Sequence, residues 1–150
     1  MLNCIRTNSE NTDFQKLVAA LDAELRIRDG EDHAFYAQFN KTNQIRYVIV
    51  AYLDGVPVGC GALKEFAPDT MEVKRMFVAE EHRGKGIASR ILSGLEDWAR
   101  ELHYTACVLE TGQKQPEAIA LYIKSGYHAI PNYGQYAHII NSVCFEKRFI

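Results

Sequence analysis

Paired cysteines, a long apolar run and a strong charge of either sign are all missing from this 150-residue sequence. The four cysteines, Cys4, Cys60, Cys107 and Cys144, are widely spaced and form no CxxC. That pattern gives neither a disulfide framework nor a thiolate metal site. Cys60, Cys107 and Cys144 stand in apolar stretches and are expected as buried, reduced thiols. No apolar run approaches the roughly 18 residues of a membrane span. The opening Met1-Leu-Asn-Cys-Ile-Arg has no signal-peptide core, so the expected compartment is the reducing cytoplasm. Net charge is −2 with the signs interspersed, which argues against a nucleic-acid surface. His33, His82, His103, His128 and His138 show no HExxH or other metal-ligand spacing, so no metal is expected. With no repeat, low-complexity segment or Pro/Gly-rich linker, residues 1–150 read as one domain.

What is present fits a globular chain. The hydrophobic fraction is 47% and the charged fraction 24%, enough for a core that needs no staple. Phe14, Leu17, Val18, Leu21 and Leu25 recur at helical spacing, with Asn11 or Thr12 to cap the start and Asp29-Gly30 to end it. The first third reads as helical, with a second short helix expected near Asp32 to Phe39. Ile45 to Leu53 is rich in β-branched and aromatic residues, Asp54-Gly55 signals a hairpin, and Val56 to Phe66 returns. Gly59 and Gly61 in that strand mark a bulge or a close backbone approach. Pro68-Asp69 turns the chain into a third strand, Met71 to Val78. Connections this short require antiparallel neighbours.

Next comes a long amphipathic helix. Ile87, Ile91, Leu92, Leu95, Trp98, Ala99 and Leu102 form its apolar face, and Ser89, Arg90, Glu96, Asp97 and Arg100 are placed on the other. Ala106 to Leu109 is a strand, Pro116 to Lys124 a helix with Gly126 just beyond it, and Ser142 to Phe149 a last strand. The expected fold is α/β: helices, an antiparallel meander, then β-α-β-α-β, around one mixed central sheet flanked by helices.

The segment richest in chemistry is Arg83-Gly84-Lys85-Gly86-Ile87-Ala88, between the third strand and the long helix. Glycines let the backbone turn and let a ligand approach. Unpaired amides of the first helical turn, with the helix dipole, suit a phosphate. Arg83 and Lys85 add formal charge. The loop lacks the GxxxxGK[ST] of a Walker A site. It also lacks the third glycine and the βαβ setting of a dinucleotide fold. A plain Gly-rich turn is the structural alternative.

Arg83-x-x-Gly86-x-Ala88 resembles the R/Q-x-x-G-x-G/A loop of the GCN5-related N-acetyltransferases. Met71-Glu-Val-Lys-Arg-Met-Phe-Val78 is similar to that family's fourth strand. Pro116-Glu-Ala-Ile-Ala-Leu-Tyr-Ile-Lys-Ser-Gly-Tyr127 is similar to its LY helix and turn. The resemblance runs from about residue 45 to the end. It implies acetyl-CoA as acyl donor and a small-molecule or peptide amine as acceptor. The pyrophosphate would sit on the amides of Arg83, Gly84, Lys85, Gly86, Ile87 and Ala88, with Ser89 nearby. The pantetheine would pair with the backbone of Met76, Phe77 and Val78. The family's pantetheine-contacting Asn is here Gln115, which carries the same amide on a longer stem. The resemblance also implies that the strand before the loop and the one at Ala106 to Glu110 splay apart to admit the thioester. Many members dimerise, so a homodimer fits the resemblance, although no segment marks an interface.

By the same resemblance Tyr122 is the candidate general acid and Glu72 the first candidate base, directly or through water. As a base, an unperturbed Glu is weak and needs its pKa raised. Glu110 is a second carboxylate, able to act as base or to bind a cationic acceptor. Tyr133 and Tyr136, in the turn Pro131-Asn-Tyr-Gly-Gln-Tyr136, are expected to border the acceptor pocket. A non-catalytic acyl-CoA-binding sensor or interaction module would share the same loop.

Overall fold

The computed structural model describes residues 1–29 and 45–149. Its strands are β1 (Leu2–Thr7), β2 (Tyr47–Leu53), β3 (Val56–Ala67), β4 (Thr70–Val78), β5 (Ala106–Gly112), β6 (His128–Ile130) and β7 (Ser142–Arg148). They form one sheet in the order β1-β2-β3-β4-β5-β7-β6. The helices are α1 (Thr12–Asp29), α2 (Ile87–Glu101) and α3 (Pro116–Lys124). Short 3-10 turns occupy Glu80–His82 and Gly134–Tyr136. The second helix expected near Asp32 to Phe39 lies outside the described residues. Among the described residues no helix is long and apolar enough to cross a membrane.

The meander β2-β3-β4 is antiparallel, as the short turns require. The chain then crosses through α2 to place β5 parallel to β4, the connection that a parallel pair needs. Asn11 caps α1: its Oδ1 accepts the Phe14 N–H at 2.9 Å.

The N-terminus corrects the helical reading of the first third. Leu2–Thr7 is an edge strand, antiparallel to β2 from Leu2↔Leu53 to Thr7↔Val48. Its residues are half-buried or exposed, so no apolar alternation announces it. Distant partners hold it: Arg6 donates twice to Glu101 of α2, at 2.8 and 2.6 Å, and stacks over Trp98.

The helices cover both faces. Phe14, Leu17, Val18 and Leu21 of α1 pack on Val48, Val50, Cys60, Ala62 and Phe77. On the other face Ile87, Ile91, Leu92, Leu95 and Ala99 of α2 pack on Ile49, Val58, Leu63, Met71 and Val73. At Gly61 the approach is closest. A Cβ there would meet Met76 Sδ at 2.6 Å and the Ile91 and Leu95 side chains at 2.9 Å.

Glu96 also departs from the expected pattern. It is buried, not solvent-facing, and its Oε1 accepts from Lys147 Nζ at 2.9 Å. It stands four residues after Leu92 and three before Ala99, inside the apolar stripe.

Cys60, Cys107 and Cys144 are fully buried. Burial pushes the Cys60 and Cys107 thiols up to about 12. At pH 8 these thiols are expected to resist an aromatic disulfide reagent in the native protein, and all four cysteines to react at once in guanidinium. Because folding raises their pKa, the stability they contribute is complete below the unfolded value near 9 and is lost as pH climbs toward 12. Denaturant midpoints measured from pH 8 to 11 should fall monotonically above pH 9. A flat profile would refute this.

Candidate active site

β4 and β5 begin as paired neighbours and then part. Their register holds for Thr70↔Ala106, Met71↔Cys107 and Glu72↔Val108, and pairs no further residues. β5 continues alongside β7 to Gly112, while β4 keeps β3 as its partner. The cause lies in β4. Between the pairs Cys60↔Phe77 and Ala62↔Lys74 the strand carries an extra residue, and Arg75 there has φ +58°. A bulge of this kind bends its strand and increases the local twist. The edge of β4 after Glu72 therefore presents backbone groups to a gap instead of to β5.

A cavity of about 100 Å³ occupies that gap. Glu72, Lys74, Arg75, Met76, Glu110, Gln115, Tyr122 and Tyr136 are among its lining residues. Strand alternation places Glu72 and Lys74 on one face of the sheet. Val108, level with Glu72, shares that face with Glu110 two residues on. Tyr122 belongs to the core cluster built around α2 on the opposite face. The cavity thus runs through the opened seam and brings together the two carboxylates and the tyrosine.

Tyr122 is buried, with its ring against Tyr127 and Phe145. Burial first, and the nearby Glu110 charge second, raise its pKa well above the ordinary phenol range. The hydroxyl therefore stays protonated at neutral pH. Gln115 is the residue just before α3 and lines the cavity.

Glu72 is buried, and one of its oxygens accepts the Tyr133 hydroxyl at 2.7 Å. The other lies 3.9 Å from Lys74 Nζ. Tyr133 is held in turn by edge contacts with Phe66 and Tyr136. Its own pKa is raised by burial and then by the Glu72 charge. Tyr136 is buried and shifted the same way, by burial and then by Glu110 and Glu72. Of the two tyrosines, Tyr136 lines the cavity, whereas Tyr133 reaches it through Glu72.

The loop after β4 has the backbone that a phosphate site needs. Gly84 and Gly86 stand at φ +81° and +77°, and no atom lies within 4 Å of a Cβ built on either. Their conformation calls for glycine, and the space above them is open. The first helical bond of α2 runs from the Arg90 N–H to the Gly86 carbonyl, 3.1 Å. The N–H groups of Ile87, Ala88 and Ser89 precede it and have no helical acceptor. Lys85 is exposed beside them.

Arg83 differs from the expectation that it adds charge at the mouth. Its Nε donates to the Val78 carbonyl at 2.8 Å and its Nη2 to Glu24 of α1 at 2.7 Å. Its amide N–H donates to the Glu80 carbonyl. The residue shapes the loop and ties it to α1.

Sequence reasoning missed two cations of the cavity, Lys74 and Arg75. In a plain strand, Arg75 would face away from Lys74. Only the bulge brings both to the seam, and nothing in the residue string marks it. Among the described residues no cluster of three His, Cys, Asp or Glu could hold a metal.

Comparison with known proteins agrees with this geometry. The model of the acetyltransferase (GNAT) family matches residues 12–127. An IAA acetyltransferase of Azospirillum brasilense is 43% identical over 103 residues, which cover 66% of this chain and 65% of that protein. An acetyltransferase of Agrobacterium fabrum is 29% identical over 88% of this chain and 95% of its own. A Klebsiella pneumoniae structure assigned as an acyl-CoA N-acyltransferase superposes with a TM-score of 0.84 at 28% identity, covering 100% of this chain and 99% of that one. At 16% identity, a Thermoplasma acidophilum PaiA N-acetyltransferase solved with coenzyme A shares the fold, with a TM-score of 0.74 and 99% of both chains covered. With its seven-stranded mixed sheet, its seam between β4 and β5 and its Gly-rich loop, this chain belongs to the GNAT acetyltransferase family.

Proposed function

We propose that the protein transfers an acetyl group from acetyl-CoA to a primary amine by direct attack in a ternary complex. The observation that carries this reading is the seam. It opens directly after Glu72↔Val108, and its cavity is lined by Glu72, Glu110, Gln115 and Tyr122. Acetyl-CoA supplies an already activated thioester, so the protein needs no covalent intermediate.

The chain's own residues position, deprotonate and protonate. Open amides of Gly84 to Ser89 hold the pyrophosphate on the positive end of α2. The free edge of β4 at Met76 to Val78 pairs with the pantetheine amides, and Gln115 adds a side-chain contact. Glu72, fixed by the Tyr133 hydroxyl, accepts the proton of the attacking amine directly or through water. Glu110, beside Tyr122 and Tyr136, attracts the acceptor's ammonium. Tyr122 donates to the departing sulfur.

The test is a thermal shift with acetyl-CoA, CoA and ATP on wild type and on Gly86→Trp. A ligand at 100 times its Kd stabilises by about 2.7 kcal/mol. Both CoA ligands should raise the wild-type Tm while ATP does not. The indole, placed in the open space over the loop, should abolish the rise. No shift with millimolar acetyl-CoA would reject the reading. A shift without thiol release across a broad amine panel would leave an acyl-CoA-binding module instead.

A further inference from the structure

The acceptor half of the seam holds charges of both signs, more than the removal of one proton requires. Glu72 and Glu110 are joined there by Lys74 and Arg75. Arg75 is the most informative of the four. Its side chain is only 3% exposed and is held by Asp22 of α1, which accepts from Nη2 at 2.9 Å. Its Nε and Nη1 are buried and have no hydrogen-bond partner among the described residues. Two guanidinium nitrogens without acceptors are costly to bury, so they mark a place where an acceptor belongs. The bulge that opens the seam is the same feature that turns Arg75 toward the α1 side. Lys74, two residues from Glu72 on the same face, brings a second cation within 3.9 Å of that carboxylate.

We infer that the acceptor is an amino acid or a close analogue: an amine with a carboxylate a few ångströms away. Its ammonium faces Glu110 and Glu72, and its carboxylate accepts from one of the unpaired donors of Arg75, with Lys74 beside it. This deepens the acetyltransferase reading and rests on it for the position of the amine. A guanidinium N–H matches a carboxylate in charge and makes a strong charge-assisted hydrogen bond to it. Nε and Nη1 point to opposite sides of the Arg75 guanidinium, so one carboxylate takes one of them. A plain amine would leave that donor unpaired, and a site built to hydrogen-bond a group discriminates strongly against analogues lacking it. Leu21 and Leu25 of α1 also line the cavity and offer apolar contact to the acceptor's side chain.

The experiment uses matched pairs that differ by the carboxylate alone: L-phenylalanine with 2-phenylethylamine, L-leucine with 3-methylbutylamine, and L-lysine with cadaverine. Thiol release from acetyl-CoA gives kcat/KM, and calorimetric titration into the CoA-saturated protein gives binding independently of chemistry. For at least one pair the acid should exceed its amine by roughly 100-fold in kcat/KM. Arg75→Gln should erase that preference by raising KM for the acid alone, and Lys74→Gln should erase part of it. Amines turned over as well as every acid would overturn the inference and leave the transferase reading standing. Acids that bind more tightly than their amines without any thiol release would uphold the carboxylate site and reject the transferase reading. Neither binding nor turnover of any acid would overturn the inference. If Arg75→Gln does not fold, the wild-type pair comparison still decides.

Discussion

Replacing Tyr122 by Phe is expected to lower kcat by roughly 100-fold, the scale of a lost general acid. The acetyl-CoA dissociation constant should stay within about twofold, because the interaction removed belongs to the transition state. The variant keeps the ring contacts with Tyr127 and Phe145, so the fold should be unchanged. What disappears is a hydroxyl whose pKa burial and Glu110 hold high. That shift has a consequence for its role. A thiol titrates near about 8.5, so full transfer from a weaker acid to the departing thiolate runs uphill. On the proposed mechanism the hydroxyl would therefore act as a hydrogen-bond donor to sulfur while charge develops. Steady-state kinetics beside calorimetry of acetyl-CoA binding separate the two quantities. An unchanged kcat would remove Tyr122 from the mechanism.

Much of this architecture was legible from the residues. The Asp54-Gly55 hairpin, the periodic face of α2 and the Pro116 start of α3 each rest on local chemistry, and each is present. The loop at Gly84 and Gly86 was legible for the same reason, since positive φ at both is a local demand. What remained hidden depends on distant partners. β1 is defined by pairing with β2, from Leu2↔Leu53 to Thr7↔Val48, far along the chain, and its own half-exposed residues carry little pattern. Alternation along β4 could not say which face Glu72 takes. The register of β4 against β5 places it with Glu110. The bulge at Arg75 has no turn residue to announce it, so the place of Arg75 in the cavity went unseen. Glu96 is the instructive miss, because its helical phase put it inside the apolar stripe while its charge suggested water.

The partner that makes Glu96 tolerable was also out of sight, 51 residues along the chain. Lys147 Nζ donates to Glu96 Oε1 and to the Ser125 carbonyl, each at 2.9 Å, and lies 5.9 Å from the centre of the Tyr127 ring. It thereby joins α2, the end of α3 and β7. Truncating one side of such a pair leaves a buried carboxylate without its counter-charge, which costs far more than the net value of the pair. Lys147→Met should therefore destabilise the protein by about 3 kcal/mol, the lower end for buried pairs because Lys147 retains some access to water. Denaturant titration would show a lower midpoint at an unchanged m-value. The double variant Glu96→Leu, Lys147→Met should recover most of the loss, since an apolar pair of similar volume has no charge to desolvate. The partners of Lys147, namely Glu96, the Ser125 carbonyl and the Tyr127 ring, are not among the residues that line the seam, so kcat measured below the unfolding transition should hold in both variants. A double variant no more stable than Lys147→Met would show that the helix packing, and not the stranded carboxylate, sets the cost.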